Sequence, residues 1–302
     1  MSMTGPLPGG PGAENPHEPG DDFAVTELSA QAVRLPLWRR KPLLIVGAVI
    51  LAAYVVLAIV GPFVVDDPRA TDPANFLQSP SADNLFGTDK FGRDVFARAV
   101  HATRLDISVG LIIAVSAMIL GSVIGVVSGY FGGWVDETLM RFTDIILAFP
   151  GFVLALVLVA AIGNSTLNVT IAVTVAYIPY FIRLTRAQVL AERELEYVDG
   201  ARLAGNGPWR IAFRHVMPNS LGPSFVQATL VAGWAILTVA GLAFLGVGIR
   251  PPTAEWGVMV AEGAPDIITG QWWTALFPGG MIVLAAMAFQ FIGDELGAEE
   301  FV

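Results

Sequence analysis

A hydrolase needs a nucleophile beside a base, and the nearest outline of one in this chain is Gly222-Pro223-Ser224-Phe225-Val226. It lacks the closing glycine of a nucleophile elbow, and Pro223 removes a backbone donor just before the serine. A helix start with Ser224 in its first turn explains the same residues. The three histidines, His17, His101 and His215, stand far apart with no ligand spacing between them, so no metal site is expected. Cysteine is absent, which removes disulfides, thiolate metal sites and cysteine nucleophiles together and leaves the redox compartment open. No glycine-rich run ends in Gly-Lys-Ser or Gly-Lys-Thr, so any ATP this protein uses must be bound by another chain. The residues predict no catalytic group and no cofactor site in this chain.

The elements that would position any site are membrane helices. The chain has 302 residues, 54% hydrophobic and 14% charged, with mean hydropathy +0.64, where a soluble domain carries about 25% charged residues. Lipid must therefore solvate most of it. The net charge of -9, from 26 acidic and 17 basic residues, gathers in the tails and the first loop. There is no basic stripe, so nucleic acid is excluded as a partner. Half of the first 20 residues are Gly or Pro, so residues 1–36 read as a disordered tail. That tail does not resemble a secretory signal, because the apolar segment starts only at Leu43 and is too long for one.

Crossing about 30 Å of hydrocarbon takes roughly 20 helical residues. Uncharged stretches cover 43–65, 107–131, 145–182, 216–249 and 267–293. The third is too long for one helix and is interrupted by Gly163-Asn164-Ser165, which makes two spans joined by a tight turn. The pattern predicts an all-α integral membrane protein with six transmembrane helices, a domain over 37–297 and a short C-terminal tail over 298–302. Ala117, Gly121, Gly125 and Gly129 recur every four residues and leave one face of the second span flat for close helix packing. None of these stretches holds an ionisable residue, which argues against a proton relay, an ion-gradient transporter or a voltage sensor.

With the N-terminus inside, the inner segments hold Arg34, Arg39, Arg40, Lys41, Arg141, Arg183, Arg186, Arg193, Arg202, Arg210 and Arg214. Arg69, Lys90, Arg93, Arg98, Arg104 and Arg250 then lie outside. Positive charge favours the inner face, so both ends are expected in the cytoplasm and residues 66–106 form an external loop. The largest inner loop, 188–219, reads as a helical hairpin. Its first helix covers 196–204 and is stopped by Gly205-Asn206-Gly207-Pro208; the second covers 209–216 and is stopped at Pro218. Val198, Ala201, Leu203, Trp209, Ile211 and Phe213 offer apolar side chains beside arginines, which suits either a groove in a partner protein or the membrane interface.

At this hairpin the chain resembles the permease subunits of ABC importers, whose loop carries Glu-Ala-Ala, a glycine four residues after the last Ala, and a late Leu-Pro. Here Asp199-Gly200-Ala201, Gly205 and Met217-Pro218 stand in those places, with Asp for Glu and Gly for Ala as departures. The resemblance sharpens to the C-type permease of the dipeptide, oligopeptide and nickel branch. It is carried by Phe86-Gly87-Thr88-Asp89-Lys90-Phe91-Gly92-Arg93 before the second span, by Phe244-Leu245-Gly246 through Pro251-Pro252 to Glu255-Trp256-Gly257, and by Trp272-Trp273 with Phe277-Pro278-Gly279.

That family implies the type I importer permease fold in a bacterial or archaeal cytoplasmic membrane. It implies a B-type permease beside this chain, two ATPase units, separate or fused, that bind ATP and magnesium, and an external binding protein. The loop 188–219 would couple to the ATPases through Asp199, Gly200, Ala201, Gly205, Arg210, Arg214, His215, Met217 and Pro218. Short peptides are the expected cargo and nickel the alternative. A structural scaffold would explain the spans without the hairpin, and a membrane enzyme would need a polar constellation that the residues do not supply.

Overall fold

The computed structural model describes residues 41–298, so the tail expected over 1–36 and residues 299–302 lie outside the described part. Helix α1, Pro42–Val64, is followed by a loop with a single 3-10 turn at Pro73–Asn75. Then come α2 Val95–Phe131, α3 Gly133–Leu147, α4 Gly151–Ile162, α5 Thr166–Glu192 and α6 Glu196–Leu203. A second hairpin arm joins α7 Pro208–Arg210, a π-helical turn Ile211–Val216 and α8 Met217–Ser220. The last elements are α9 Gly222–Phe244, α10 Trp256–Gly263, a 3-10 stretch Ala264–Thr269 and α11 Trp273–Gly297.

Helices α1, α2, α5, α9 and α11 are each long and apolar enough to cross a membrane, and α3 with α4 supplies a sixth crossing bent by 87°. The break expected at 163–165 is present. Gly163 takes φ +103, Ser165 caps Asn168 N at 3.1 Å, and the Asn168 amide holds the Ile162 and Gly163 carbonyls at 2.9 Å each.

The helices run past the uncharged stretches that marked them. α2 begins at Val95, inside the segment read as loop, because Asp94 caps it by accepting Phe96 N at 2.7 Å and Ala97 N at 3.1 Å. Its 37 residues rise about 55 Å, against about 30 Å of hydrocarbon, so Arg98, Arg104 and Asp106 can sit in the helix without crossing lipid. The third crossing starts at Gly133 and takes in Asp136, Glu137, Arg141 and Asp144, and the Pro150 ring breaks it because it cannot continue an α-helical ladder.

The flat face of α2 lies against α5. A Cβ on Gly121 would stand 2.8 Å from the Ile178 carbonyl oxygen, and one on Gly125 would stand 2.8 Å from that of Ile182. At Gly129 the corresponding approach is 3.0 Å to Arg186 O, and Ala117 is fully buried on the same stripe. Backbone cannot move aside as a side chain can. Gly125→Val is therefore expected to destabilise the protein by about 1–3 kcal/mol through overpacking. The check is the melting temperature of the detergent-solubilised chain, and an unchanged value would contradict this contact.

Further along, Thr185 Oγ1 meets Ser122 Oγ and Ser224 Oγ at 3.0 Å each and links α2, α5 and α9 inside the bundle. Ser224 is thus a buried packing hydroxyl in the first turn of α9. A core of Val95, Ala102, Ile107, Phe181, Ile236, Trp256 and Phe289 joins α2, α5, α9, α10 and α11.

Candidate functional site

At one end of the bundle the hairpin is built on a buried base. Val198 of α6 packs with Val126 of α2, Val189 of α5 and Ile211, Ala212 and Val216 of the second arm. Val198 and Ile211 are therefore unavailable to a partner, contrary to the expectation that both face outward. Burying them anchors the arms instead. The side chains left outside are Leu203, 90% exposed, and Trp209, 59% exposed. Trp209 stacks beside Phe213 at 5.8 Å and meets Phe131 at a 48° tilt with ring centres 4.6 Å apart.

The turn between the arms closes in a Schellman pattern. Gly205 N donates to Arg202 O at 3.0 Å and Asn206 N to Ala201 O at 3.2 Å. Gly205 takes φ +79, a conformation that costs an L-residue about 1–2 kcal/mol, and its outer side is open space. Asp199, Gly200, Arg210, Arg214 and Pro218 are exposed around this turn, with Asp199 paired to Arg202 at 2.8 Å. Ala201, His215 and Met217 are half-buried.

Pro218 does not stop the second arm as expected, because the helical course continues to Ser220. The wider π-helical turn before it accommodates the missing donor. Asn219 Nδ2 donates to His215 O at 3.2 Å and Ser220 Oγ to Val216 O at 2.9 Å. The hairpin is also pinned to the bundle, since Arg193 Nη1 donates to Gly129 O at 2.7 Å. Nearby, Arg186 grips Asp136 with two bonds of 2.5 and 2.6 Å.

The far end of α2 carries a charge cluster that sequence reading missed. Asp89 accepts Arg93 Nε at 2.6 Å and Arg98 Nη1 at 3.1 Å, and Glu262 of α10 accepts the other arms of both arginines at 2.9 and 3.0 Å. Arg98 is 1% exposed and Arg93 4%. Asp89 also takes the Phe91 and Arg93 amides, which the left-handed turns at Gly87 and Gly92 make possible. A Cβ on Gly92 would stand 1.8 Å from Asp72 O. Trp273 Nε1 donates to Thr88 O at 3.1 Å and Phe86 stacks on Phe277 at 4.1 Å. The first and third of the runs that carry the family resemblance are thus brought together in space. Burial pushes the Asp266 carboxyl beside this cluster above its usual range.

About two turns further along α2, Asp106 accepts Trp256 N at 3.0 Å while the Trp256 indole donates to Ala99 O at 3.0 Å. Glu255 caps α10 by accepting Val258 N at 2.6 Å, and burial pushes its carboxyl above the usual range. Asp106 and Glu255 are both buried. The charge rule hid these groups, because it places ionisable residues outside the membrane spans, and Glu262 lies far along the sequence from Arg98. No group of residues suited to holding a metal occurs among the described residues. Among the described residues no nucleophile and base meet at Ser224, whose hydroxyl bonds that of Thr185.

Comparison with known proteins agrees with this layout. The chain matches the family described as the binding-protein-dependent transport system inner membrane component over residues 121–296. Residues 37–80 match the N-terminal transmembrane domain of oligopeptide transport permease C. The chain is 41% identical over 282 residues to the dipeptide transport system permease protein DppC of Alkalihalophilus pseudofirmus, covering 93% of this chain and 92% of that one. It is 40% identical over 261 residues to the probable D,D-dipeptide transport system permease protein DdpC of Escherichia coli, covering 85% and 87%. Among solved structures, an inward-facing conformation of the MetNI methionine ABC transporter matches with TM-score 0.53 and 16% identity over 67% of this chain and 95% of that chain. That last likeness is one of fold.

Proposed function

The chain belongs to the binding-protein-dependent transport system inner membrane component family, and from that premise we propose that it forms half of the path by which an ATP-driven importer carries short peptides inward. It is a membrane permease subunit of ABC importer type. The observation that carries the proposal is the hairpin: a rigidly anchored projection whose tip, at Leu203, Trp209 and the Gly205 turn, is left for another protein. Two ATPase units, separate or fused, would dock there and supply ATP and magnesium, which this chain has no phosphate loop to hold. A homologous B-type permease would complete the path, and a binding protein would deliver cargo at the far end. The chain would act as a lever and half a gate, and not as a catalyst.

Peptides as cargo are supported by the relatives, whose names are those of dipeptide and peptide permeases. The test is ATP-dependent uptake by the reconstituted complex with its own binding protein, using labelled dipeptides, longer peptides and nickel in parallel. Peptide uptake is expected. Nickel uptake without any peptide uptake would overturn the assignment.

Both ends of the chain are proposed to be cytoplasmic, on the lysine and arginine distribution. The chain has no cysteine, so single cysteines at the exposed positions Ser81 and Ala204 can be labelled without background. An impermeant reagent outside intact cells should modify Ser81→Cys and spare Ala204→Cys. Labelling of both from one side would reject this orientation.

A further inference from the structure

A cavity of about 220 Å³ opens where the third crossing is broken, lined by Gly151 and Phe152 of α4, Ala176, Tyr177 and Tyr180 of α5, and Trp234 and Thr238 of α9. Trp234 stands midway along Gly222–Phe244, while Tyr180 stands three residues before Arg183, toward the inner end of the uncharged part of Thr166–Glu192. Trp234 is thus at the depth of the hydrocarbon centre, whereas Tyr and Trp in membrane proteins gather at the two interfaces.

Their polar atoms are the informative part. Tyr177 and Thr238 share a hydroxyl bond of 3.0 Å, but the Tyr180 hydroxyl and the Trp234 indole N–H find no hydrogen-bond partner among the described residues. Both side chains are open, at 42% and 41% exposure. A donor left unpaired against lipid is costly, because hydrocarbon offers no acceptor. The open side of this wall is therefore set toward water, a polar guest or the second permease, and not toward lipid.

We propose that this aromatic and hydroxyl wall is where the peptide in transit touches the chain, a step that rests on the peptide reading above. The cavity has no charged side chain to hold one sequence, while Tyr180 and Trp234 can donate to peptide carbonyls, a feature every peptide shares. Phe152 and the ring faces give a side chain apolar contact without a shape that selects it. The gap at Pro150, where the helix direction turns, leaves the room. Contact of this kind guides a passing guest without trapping it.

The test places single cysteines in the cysteine-free chain at Tyr180, Trp234 and, as a lipid-facing control, Val56 on α1, which is 57% exposed. The complex is reconstituted with its ATPases and binding protein and treated with a charged thiosulfonate. Tyr180→Cys and Trp234→Cys should react, Val56→Cys should not, and saturating dipeptide with ATP should slow the first two at least several-fold. In parallel, Tyr180→Phe with Trp234→Phe should reduce peptide uptake about five- to tenfold, since each lost donor bond to a peptide carbonyl is worth on the order of a factor of a few. ATPase copurification should persist, which separates loss of contact from loss of assembly. Tyr180→Cys as unreactive as Val56→Cys, reactivity that peptide does not slow, or full uptake by the double variant would each overturn the inference. Absence of peptide uptake by the unmodified complex would instead bring down the peptide reading, and this inference with it.

Discussion

Arg98→Met is expected to destabilise the protein by about 3–5 kcal/mol, the usual cost of removing one partner from a buried charge cluster. Arg98 is 1% exposed and bonds Asp89 at 3.1 Å and Glu262 at 3.0 Å. Without it, two carboxylates share Arg93 alone in a space that water scarcely enters. Methionine keeps the length of the side chain, so the loss reports on charge and not on a cavity. Arg98→Lys should fall between, because an ammonium cannot place two parallel bonds on two acceptors as the guanidinium fork does. Pairing Arg98→Met with Glu262→Gln should cost less than the two single changes added, since both empty the same cluster. The measurement is thermal unfolding in detergent, and a loss below about 1 kcal/mol would show that the cluster contributes no more than a surface pair.

Gly205→Asp is expected to abolish coupled uptake while leaving the six crossings inserted. The substitution meets open space, and its left-handed backbone costs about 1–2 kcal/mol, too little to unfold the chain. Asparagine tolerates that conformation better than other residues with a Cβ. Gly205→Asn therefore separates two causes. If the backbone alone matters, Asn should retain much of the uptake; if an ATPase surface closes on the turn, Asn should lose it as Asp does. Uptake and ATPase copurification at wild-type levels for Gly205→Asp would remove the docking role from this loop.

The crossings were legible because lipid leaves a coarse record: long uncharged runs, a polar break at Gly163-Asn164-Ser165 and glycines at every fourth position of α2. Their ends were not. Charge marks the edge of lipid and not the edge of a helix, so α2 extends back to Asp94, whose cap is a local hydrogen-bond pattern. The third crossing hid its first half for the same reason, since Asp136 and Asp144 in α3 lie outside the uncharged stretch that begins at 145.

At the hairpin, residue types marked the turn at Gly205 but not which apolar groups would be consumed in the base. Val198 and Leu203 look alike in sequence, yet one is buried and the other 90% exposed. The far end was legible only as a family signature. Its chemistry depends on Asp89 and Arg98 meeting Glu262, and on Asp106 meeting the Glu255 and Trp256 turn, and pairings across such distances leave no periodic trace in a single chain.

The most direct test is purification of the complex through a tag on this chain, followed by reconstitution with peptide-loaded binding protein. ATPase subunits should copurify, hydrolysis should rise when the loaded binding protein is added, and labelled peptide should accumulate only while ATP is hydrolysed. A chain that purifies without any ATPase, or that moves peptide equally well with a non-hydrolysable ATP analogue, would contradict its role as the coupled half of an importer.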